Sequence, residues 1–143
     1  MVMPIEREKS TQPAPASPMF WRFNPEVFQR MGAKCPKCGH ITYPRLKICP
    51  ECGSFEVAEY QLPKTGKVHT FCINWTPPPN LEPPIVNVIV DLDGGGRYQG
   101  LITEVANPEQ VKIGTKVEMV LRKLLNDSGL DFYGYKFRLA EEA

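Results

Sequence analysis

The sequence of 143 residues has no long apolar run, and none approaches the roughly 18 residues that a membrane-spanning helix needs. It also has little excess charge, because its net charge is only +1. Such a balance argues against a protein that holds nucleic acid mainly by bulk positive charge. The first residues, MVMPIEREKS, show no apolar stretch behind a basic end, which a secretory leader would carry. These absences predict a soluble, cytoplasmic protein with no membrane partner, and the length excludes a large multidomain enzyme.

The composition nevertheless supports a folded core, since 42% of the residues are hydrophobic and 23% are charged. Fifteen prolines and eleven glycines favour many turns over a helical bundle. Residues 1–18 differ from the rest, with four prolines and no aromatic side chain. A segment of this kind buries too little apolar area to offset the entropy of ordering, so we expect a disordered tail.

Residues 19–33 predict a short N-terminal helix. Asn24 suits the N-cap position, Pro25 suits the first helical position, and apolar residues follow at helical spacing up to Gly32, which can end the helix.

Three aromatic residues directly precede this predicted helix: Phe20, Trp21 and Phe23. One interpretation is that they pack on the protein's own surface. The other is that they anchor a partner protein, because aromatic side chains are typical of interface hot spots. The sequence leaves both open.

Two C-x-x-C motifs give the strongest evidence. CPKCG and CPECG, with ten residues between the cysteine pairs, supply four thiols at the spacing of a zinc ribbon: Cys35, Cys38, Cys49 and Cys52. Residues 34–63 are therefore predicted to form a rubredoxin-like ribbon around one structural Zn²⁺, with a short hairpin in HITYPRLKI. Iron is the main competing metal. A closed site of four thiolates leaves no position for a substrate, so the metal is not expected to catalyse a reaction.

The remaining chemistry-bearing residues give no convincing catalytic group. Cys72 is predicted to be a buried strand cysteine, and His69 to lie on the opposite face of the same strand. Asp91 and Asp93 are expected to serve the glycine turn DGGGR, which lacks the lysine and serine of a P-loop. The sequence therefore predicts a protein that is not an enzyme.

Residues 64–143 are predicted to form a five-stranded OB-type β-barrel. β-branched and aromatic residues recur in short segments, and Asn107 begins a capped helical turn or loop between the third and fourth. The predicted strands are residues 67–75, 85–92, 97–105, 116–125 and 130–139. The overall fold class is thus mainly β, with a helix and a ribbon before the barrel.

The charges divide unevenly between these parts. Residues 19–67 carry eight Lys/Arg against four Asp/Glu, a balance of +4, whereas residues 68–143 carry seven against ten, a balance of −3. Barrels that track single-stranded nucleic acid usually present a basic groove with stacking aromatics. The acidic barrel argues against nucleic acid as a partner, and a single-stranded nucleic-acid binder is the alternative function.

The order of these features resembles a known family. The ribbon motif CPKCGHITYPRLKICPECG (35–53), TGKVHTF (65–71), VIVDLD (88–93) and YKFR (135–138) are similar to the family called domain of unknown function 35. The resemblance covers residues 19–139 and implies an OB fold with a rubredoxin-like zinc ribbon, associated with acyl-CoA metabolism.

The resemblance also implies a function. It predicts a non-catalytic accessory subunit of a thiolase-fold enzyme, in some members a bridge between an acetoacetyl-CoA thiolase and a 3-hydroxy-3-methylglutaryl-CoA synthase. On this view the partner would bind the helix, the ribbon and the proline-rich loop 76–84, with the three aromatic residues as anchors. Arg45 and Lys47 would then lie near the phosphates of a CoA shared with the partner.

Overall fold

The structure, a computed structural model, describes residues 28–77, 81–127 and 130–140. These residues form eight β-strands in two sheets and one 3₁₀ turn, Pro108–Gln110. The strands are β1 (Met31–Lys34), β2 (Ile41–Thr42), β3 (Ala58–Gln61), β4 (Thr65–Asn74), β5 (Ile85–Leu92), β6 (Arg97–Leu101), β7 (Lys116–Asp127) and β8 (Leu130–Leu139). The predicted mainly β architecture, a ribbon followed by a barrel-like sheet, is confirmed.

The predicted N-terminal helix is not borne out. Residues 28–30 form a turn, residues 31–34 form strand β1, and no α-helix occurs in the described parts of the chain. Arg30 has a positive φ of 56°, which no α-helix accommodates. Gly32 lies within β1, and a Cβ there would come within 2.6 Å of the Thr42 carbonyl oxygen. Gly32 is therefore required for the close approach of β1 and β2 rather than for the end of a helix. Residues 19–27 of the predicted helical segment lie outside the described ranges.

The first sheet has the strand order β2-β1-β3, with both pairings antiparallel. The short hairpin predicted between the two cysteine pairs is wrong, because β2 pairs with β1 across the first pair instead. The ribbon sheet is therefore completed by β1, which precedes the first cysteine pair. The spacing between the two cysteine pairs does not predict this pairing.

The second sheet has the order β6-β5-β4-β7-β8 and is antiparallel throughout. Its ends meet through a parallel bridge between Ile102 and Phe137, supported by a 2.8 Å hydrogen bond from the Thr103 amide to the Phe137 carbonyl. This bridge brings β8 beside the end of β6 and gives the sheet its barrel form. Because the chain turns at Ile102 to make it, β6 is shorter than the predicted strand of residues 97–105.

The core follows the alternation of the strands. Four alternate residues of β5 are buried, as are inward-facing residues from the neighbouring strands. Burying a Val or Leu side chain contributes about 1.5–3 kcal/mol relative to exposing it, so β5 forms the centre of the barrel core. The buried cluster comprises Leu62, Val68, Val86, Val88, Val90, Leu92, Val111, Val117, Met119 and Phe137.

A β-bulge between Val68 and Thr70 corrects two predictions in β4. The extra residue reverses the alternation, so that Phe71 and Ile73 pack towards the core after the bulge. Cys72 is consequently exposed rather than buried. His69 and Cys72 also lie on the same outer face of the strand, not on opposite faces.

Aromatic rings join the ribbon to the barrel. Tyr43, after β2, stacks on Tyr98 of β6 with ring centroids 4.9 Å apart, and Tyr98 meets Phe137 edge-on at 6.0 Å. At the entry to β1, the buried Arg30 donates to the Leu62 carbonyl and the Tyr135 hydroxyl. The ribbon is thereby packed on the same strands that close the barrel.

Candidate metal centre

Two turns of the same backbone geometry present the cysteines. In the first, the Cys35 amide donates to the His40 carbonyl and the Gly39 amide donates to the Cys35 carbonyl, both at 2.9 Å. In the second, Cys49 and Gly53 make the equivalent bonds at the same distances. Gly39 and Gly53 have φ values of 75° and 67°, a left-handed conformation that glycine adopts without strain. Each C-x-x-C-G sequence thus folds locally into a turn that directs two sulfurs to one side.

The four sulfurs converge on one point. All four Sγ atoms lie within 4.8 Å of one another, with Cys35 and Cys52 3.5 Å apart and Cys38 and Cys49 3.4 Å apart. A tetrahedral site with Zn–S bonds of about 2.3 Å requires sulfurs about 3.8 Å apart. The residues present therefore fit a tetrahedral metal ion, and the cluster predicted from the sequence is brought together in full.

The thiols differ in how readily they ionise. A hydrogen bond from the backbone amide of Cys38 lowers the pKa of Cys35 to about 6, opposed by burial and helped by the amide of Lys37. The amide of His40 also acts to lower the pKa of Cys38. Burial and the neighbouring thiols outweigh it, so that the pKa of Cys38 is raised to about 12.

Cys52 resembles Cys38 in this respect. A hydrogen bond from the Ser54 amide acts to lower the pKa of Cys52. The Cys35 thiol and burial outweigh it, so that the pKa of Cys52 is raised. A bound cation reverses this preference by neutralising several thiolates at once. Metal binding at neutral pH must therefore release protons from Cys38 and Cys52, and it should strengthen as the pH rises.

The cluster has a buried and an exposed side. Cys35 and Cys49 are each only 2% exposed, whereas Cys38 and Cys52 face solvent. His40 lies at this edge, with Nδ1 4.0 Å from Glu51 Oε1. The sulfurs that enter the ribbon interior thus come from the first cysteine of each pair.

The structure places only some of the other predicted site residues. Arg45 is exposed and donates to Glu59 Oε1 at 2.5 Å, and Lys47 is exposed two residues later. The aromatic residues Phe20, Trp21 and Phe23 lie outside the described ranges, as do residues 78–80 of the proline-rich loop.

Sequence reasoning missed a charged cluster on the outer face of the barrel. His69 Nδ1 lies 2.8 Å from Asp91 Oδ2, and Arg97 Nε donates to Asp91 Oδ1 at 2.6 Å. Arg97, and then His69, lower the pKa of Asp91. The register of β4, β5 and β6 brings these residues together, and the bulge at Val68 makes that register unreadable from alternation alone.

A groove of about 780 Å³ runs between the ribbon and the β5–β6 turn. Its ribbon wall is mostly apolar, and its barrel wall exposes the backbone of the glycine turn; the lining comprises residues 39–44, Leu46, Asp91, Leu92 and residues 94–97. Arg45 and Lys47 flank Leu46 in the sequence, so they lie beside the ribbon wall.

The three aromatic residues of β8 whose side chains the structure describes, Tyr133, Tyr135 and Phe137, do not form a stacking platform. Phe137 is fully buried, and Tyr135 donates to the Phe28 carbonyl while its ring lies 5.2 Å from the Arg30 guanidinium. Only Tyr133 of these three is exposed. In the parts of the chain that the structure describes, no helical segment has the length and apolar character needed to cross a bilayer.

A four-cysteine ribbon followed by a small barrel defines a class of two-module proteins. Residues 31–58 match the family model "ChsH2, rubredoxin-like zinc ribbon domain", and residues 59–122 match "ChsH2, C-terminal OB-fold domain". A DUF35 domain-containing scaffold protein of Pyrococcus furiosus is 40% identical over 123 residues, which cover 83% of this chain and 89% of the relative. The chain belongs to the DUF35 family.

Other relatives are named as parts of enzymes. The benzoylsuccinyl-CoA thiolase subunit BbsA of Thauera aromatica is 27% identical over 108 residues, covering 75% of this chain and 74% of the relative. Among solved structures, a chain of "Ltp2-ChsH2(DUF35) aldolase" superposes with a TM-score of 0.66 at 25% identity, covering 90% of this chain and 98% of that one.

Proposed function

We propose that this protein is a non-catalytic accessory subunit of an acyl-CoA enzyme complex. The observation that carries the proposal is the similarity to BbsA, a named thiolase subunit, over about three quarters of both chains. The scaffold name of the Pyrococcus relative supports a role in assembly rather than in catalysis. The cytoplasmic location predicted from the sequence belongs to the same proposal.

The metal has a structural role in this proposal. One Zn²⁺ per chain, held by the four thiolates, would fix the ribbon and leave no position for substrate. The ribbon offers few buried side chains of its own, and small modules of this kind depend on metal binding for their fold.

The finer form of the proposal names the enzymes and the contacts. The partner would be an acetoacetyl-CoA thiolase acting with a 3-hydroxy-3-methylglutaryl-CoA synthase, so that the CoA intermediate passes between them. Phe20, Trp21 and Phe23 would anchor the thiolase-fold enzyme. Arg45 and Lys47 would lie near the CoA phosphates; the exposed Arg45–Glu59 pair is weak enough to exchange for a phosphate.

Co-purification with a candidate thiolase-fold acyl-CoA enzyme from the same organism tests the proposal. Trp21→Ala should weaken the complex by about 2 kcal/mol or more, the range of an interface hot spot, without changing the zinc content. A thermal melt of the variant alone supplies the control, since an unaltered melting temperature excludes a core role for Trp21. Unchanged complex formation with a large loss of stability would leave Trp21 as a packing residue and remove it from the interface.

A further inference from the structure

The two cysteine turns share one backbone geometry but have different surroundings. Ile41 stands two residues after Gly39, and it packs on the barrel core and against the glycine turn. A Cβ placed on Gly95 or Gly96 would lie 3.1–3.2 Å from Ile41, so the barrel backbone covers this side chain closely. Phe55 stands two residues after Gly53, at the equivalent position of the second turn, and 79% of it is exposed.

A second apolar residue flanks the same turn. Ile48 directly precedes Cys49, Phe55 directly follows Ser54, and the Cys49 amide donates to the Ser54 carbonyl between them. Ile48 is 46% exposed. We call Ile48 and Phe55 the second-turn patch. A single exposed apolar residue needs no explanation, but two on either side of one hydrogen-bonded turn form a small apolar surface that a partner can bury.

The rigidity of the turn matters for binding. Cys49 is buried and Gly53 is fixed in the left-handed conformation, so the backbone on both sides of the patch is held in place. Docking a side chain on a rigid backbone costs less conformational entropy than ordering a mobile loop. Aromatic side chains, Phe included, are enriched at the cores of protein interfaces.

We infer that the second-turn patch docks the acyl-CoA enzyme subunit, and this inference rests on the proposed function. Ile41, at the position equivalent to Phe55, is covered by the backbone of the glycine turn with apolar neighbours. A protein surface of the same kind could cover Phe55. The patch is also continuous with the basic segment proposed to face CoA, because Lys47 directly precedes Ile48 and both are exposed. The enzyme that supplies the CoA would therefore cover the patch.

The test uses isothermal titration calorimetry to measure how variants of the 143-residue chain bind the thiolase-fold enzyme that co-purifies with the unmodified chain. Phe55→Ser should raise Kd about 30-fold, the equivalent of a 2 kcal/mol hot spot, and Ile48→Ser should raise it by a smaller factor. Phe55→Leu should restore most of the affinity. Ile113→Ser is the matched control, because Ile113 is 71% exposed on the barrel, and it should bind as the unmodified protein does.

The other outcomes overturn the inference in distinguishable ways. If the unmodified chain binds the thiolase and Phe55→Ser binds equally well, the patch fails while the proposed function stands. If the unmodified chain binds no acyl-CoA enzyme, both fail. A fall in the melting temperature of isolated Phe55→Ser would show that the chain itself covers the patch. A dimer of the unmodified chain that Phe55→Ser abolishes would assign the patch to self-association.

Discussion

Replacing Cys49 with serine tests the metal centre most directly. A serine hydroxyl does not ionise near neutral pH and is a poor ligand for a soft metal, so the cluster keeps only three thiolates. Cys49 is also one of the two buried ligands. We expect the purified variant to lose the single zinc ion that the unmodified chain should carry.

The consequence for stability should be large. Structural zinc supplies an apparent binding free energy of about 10–16 kcal/mol in small fingers, whereas an entire domain is stable by only about 5–15 kcal/mol. The ribbon strands have four, two and four residues, too few to form an independent core. Losing the metal should unfold the ribbon, remove Tyr43 from Tyr98 and expose the glycine turn, which lowers the melting temperature of the barrel as well.

Elemental analysis and circular dichroism melts check both expectations. Cys72→Ser is the matched control, because Cys72 is exposed and lies outside the cluster. It should keep the metal and the melting temperature of the unmodified protein. Full zinc occupancy with an unaltered melt in Cys49→Ser would refute the proposed metal centre, as would loss of metal in Cys72→Ser.

Two further predictions concern charge. Asp91→Asn should lower the free energy of unfolding at pH 7 by less than about 1 kcal/mol, since its partners are exposed. The lowered pKa of Asp91 means that this stabilisation is present above its ordinary pKa and lost as acid protonates it; denaturant melts at neutral and strongly acidic pH should show the difference only at neutral pH. Binding to single-stranded DNA, followed by fluorescence anisotropy, should be weak and fall steeply with salt; nanomolar affinity at physiological salt would contradict the accessory-subunit proposal.

The metal cluster was predictable because its geometry is local. Each C-x-x-C-G turn is fixed by hydrogen bonds within six residues, so the sequence contains nearly all that determines where the sulfurs point. The strands Ile85–Leu92 and Leu130–Leu139 were predicted to the residue for a related reason, since clear alternation ends at strong turn residues.

Over its described residues, 28–33, the predicted N-terminal helix failed because the competing interactions are distant in sequence. Residues 31–34 pair with Ala58–Gln61, more than twenty positions away, and that pairing outweighs a local preference for helix. The cap residues and apolar spacing before Gly32 are local features, so they give no indication of a pairing with a distant strand. The close contact of Gly32 with Thr42 shows that this glycine meets a steric need of the sheet.

The errors at His69 and Cys72 have a different cause. A single bulge shifts every later side chain of β4 to the other face of the sheet. No residue type near Val68 predicts a bulge at that position. The bulge is held from outside the strand, because the Val68 amide donates to the Thr115 carbonyl and the Val68 carbonyl accepts from the Gly114 amide. The loop after the 3₁₀ turn thus determines which face of β4 carries His69.

The two cysteine turns differ in how closely the barrel covers them, and this difference gives the proposed metal a mechanical role. The first turn faces the barrel, where Ile41 and Tyr43 pack against β6 and the glycine turn. At the equivalent position of the second turn Phe55 is 79% exposed, so the described part of the barrel does not cover it as it covers Ile41. A metal ion held by both turns would transmit the rigidity of the first turn to the exposed second turn. A closed four-thiolate site would suit the proposed accessory role, because such a mechanical link needs no vacant coordination position.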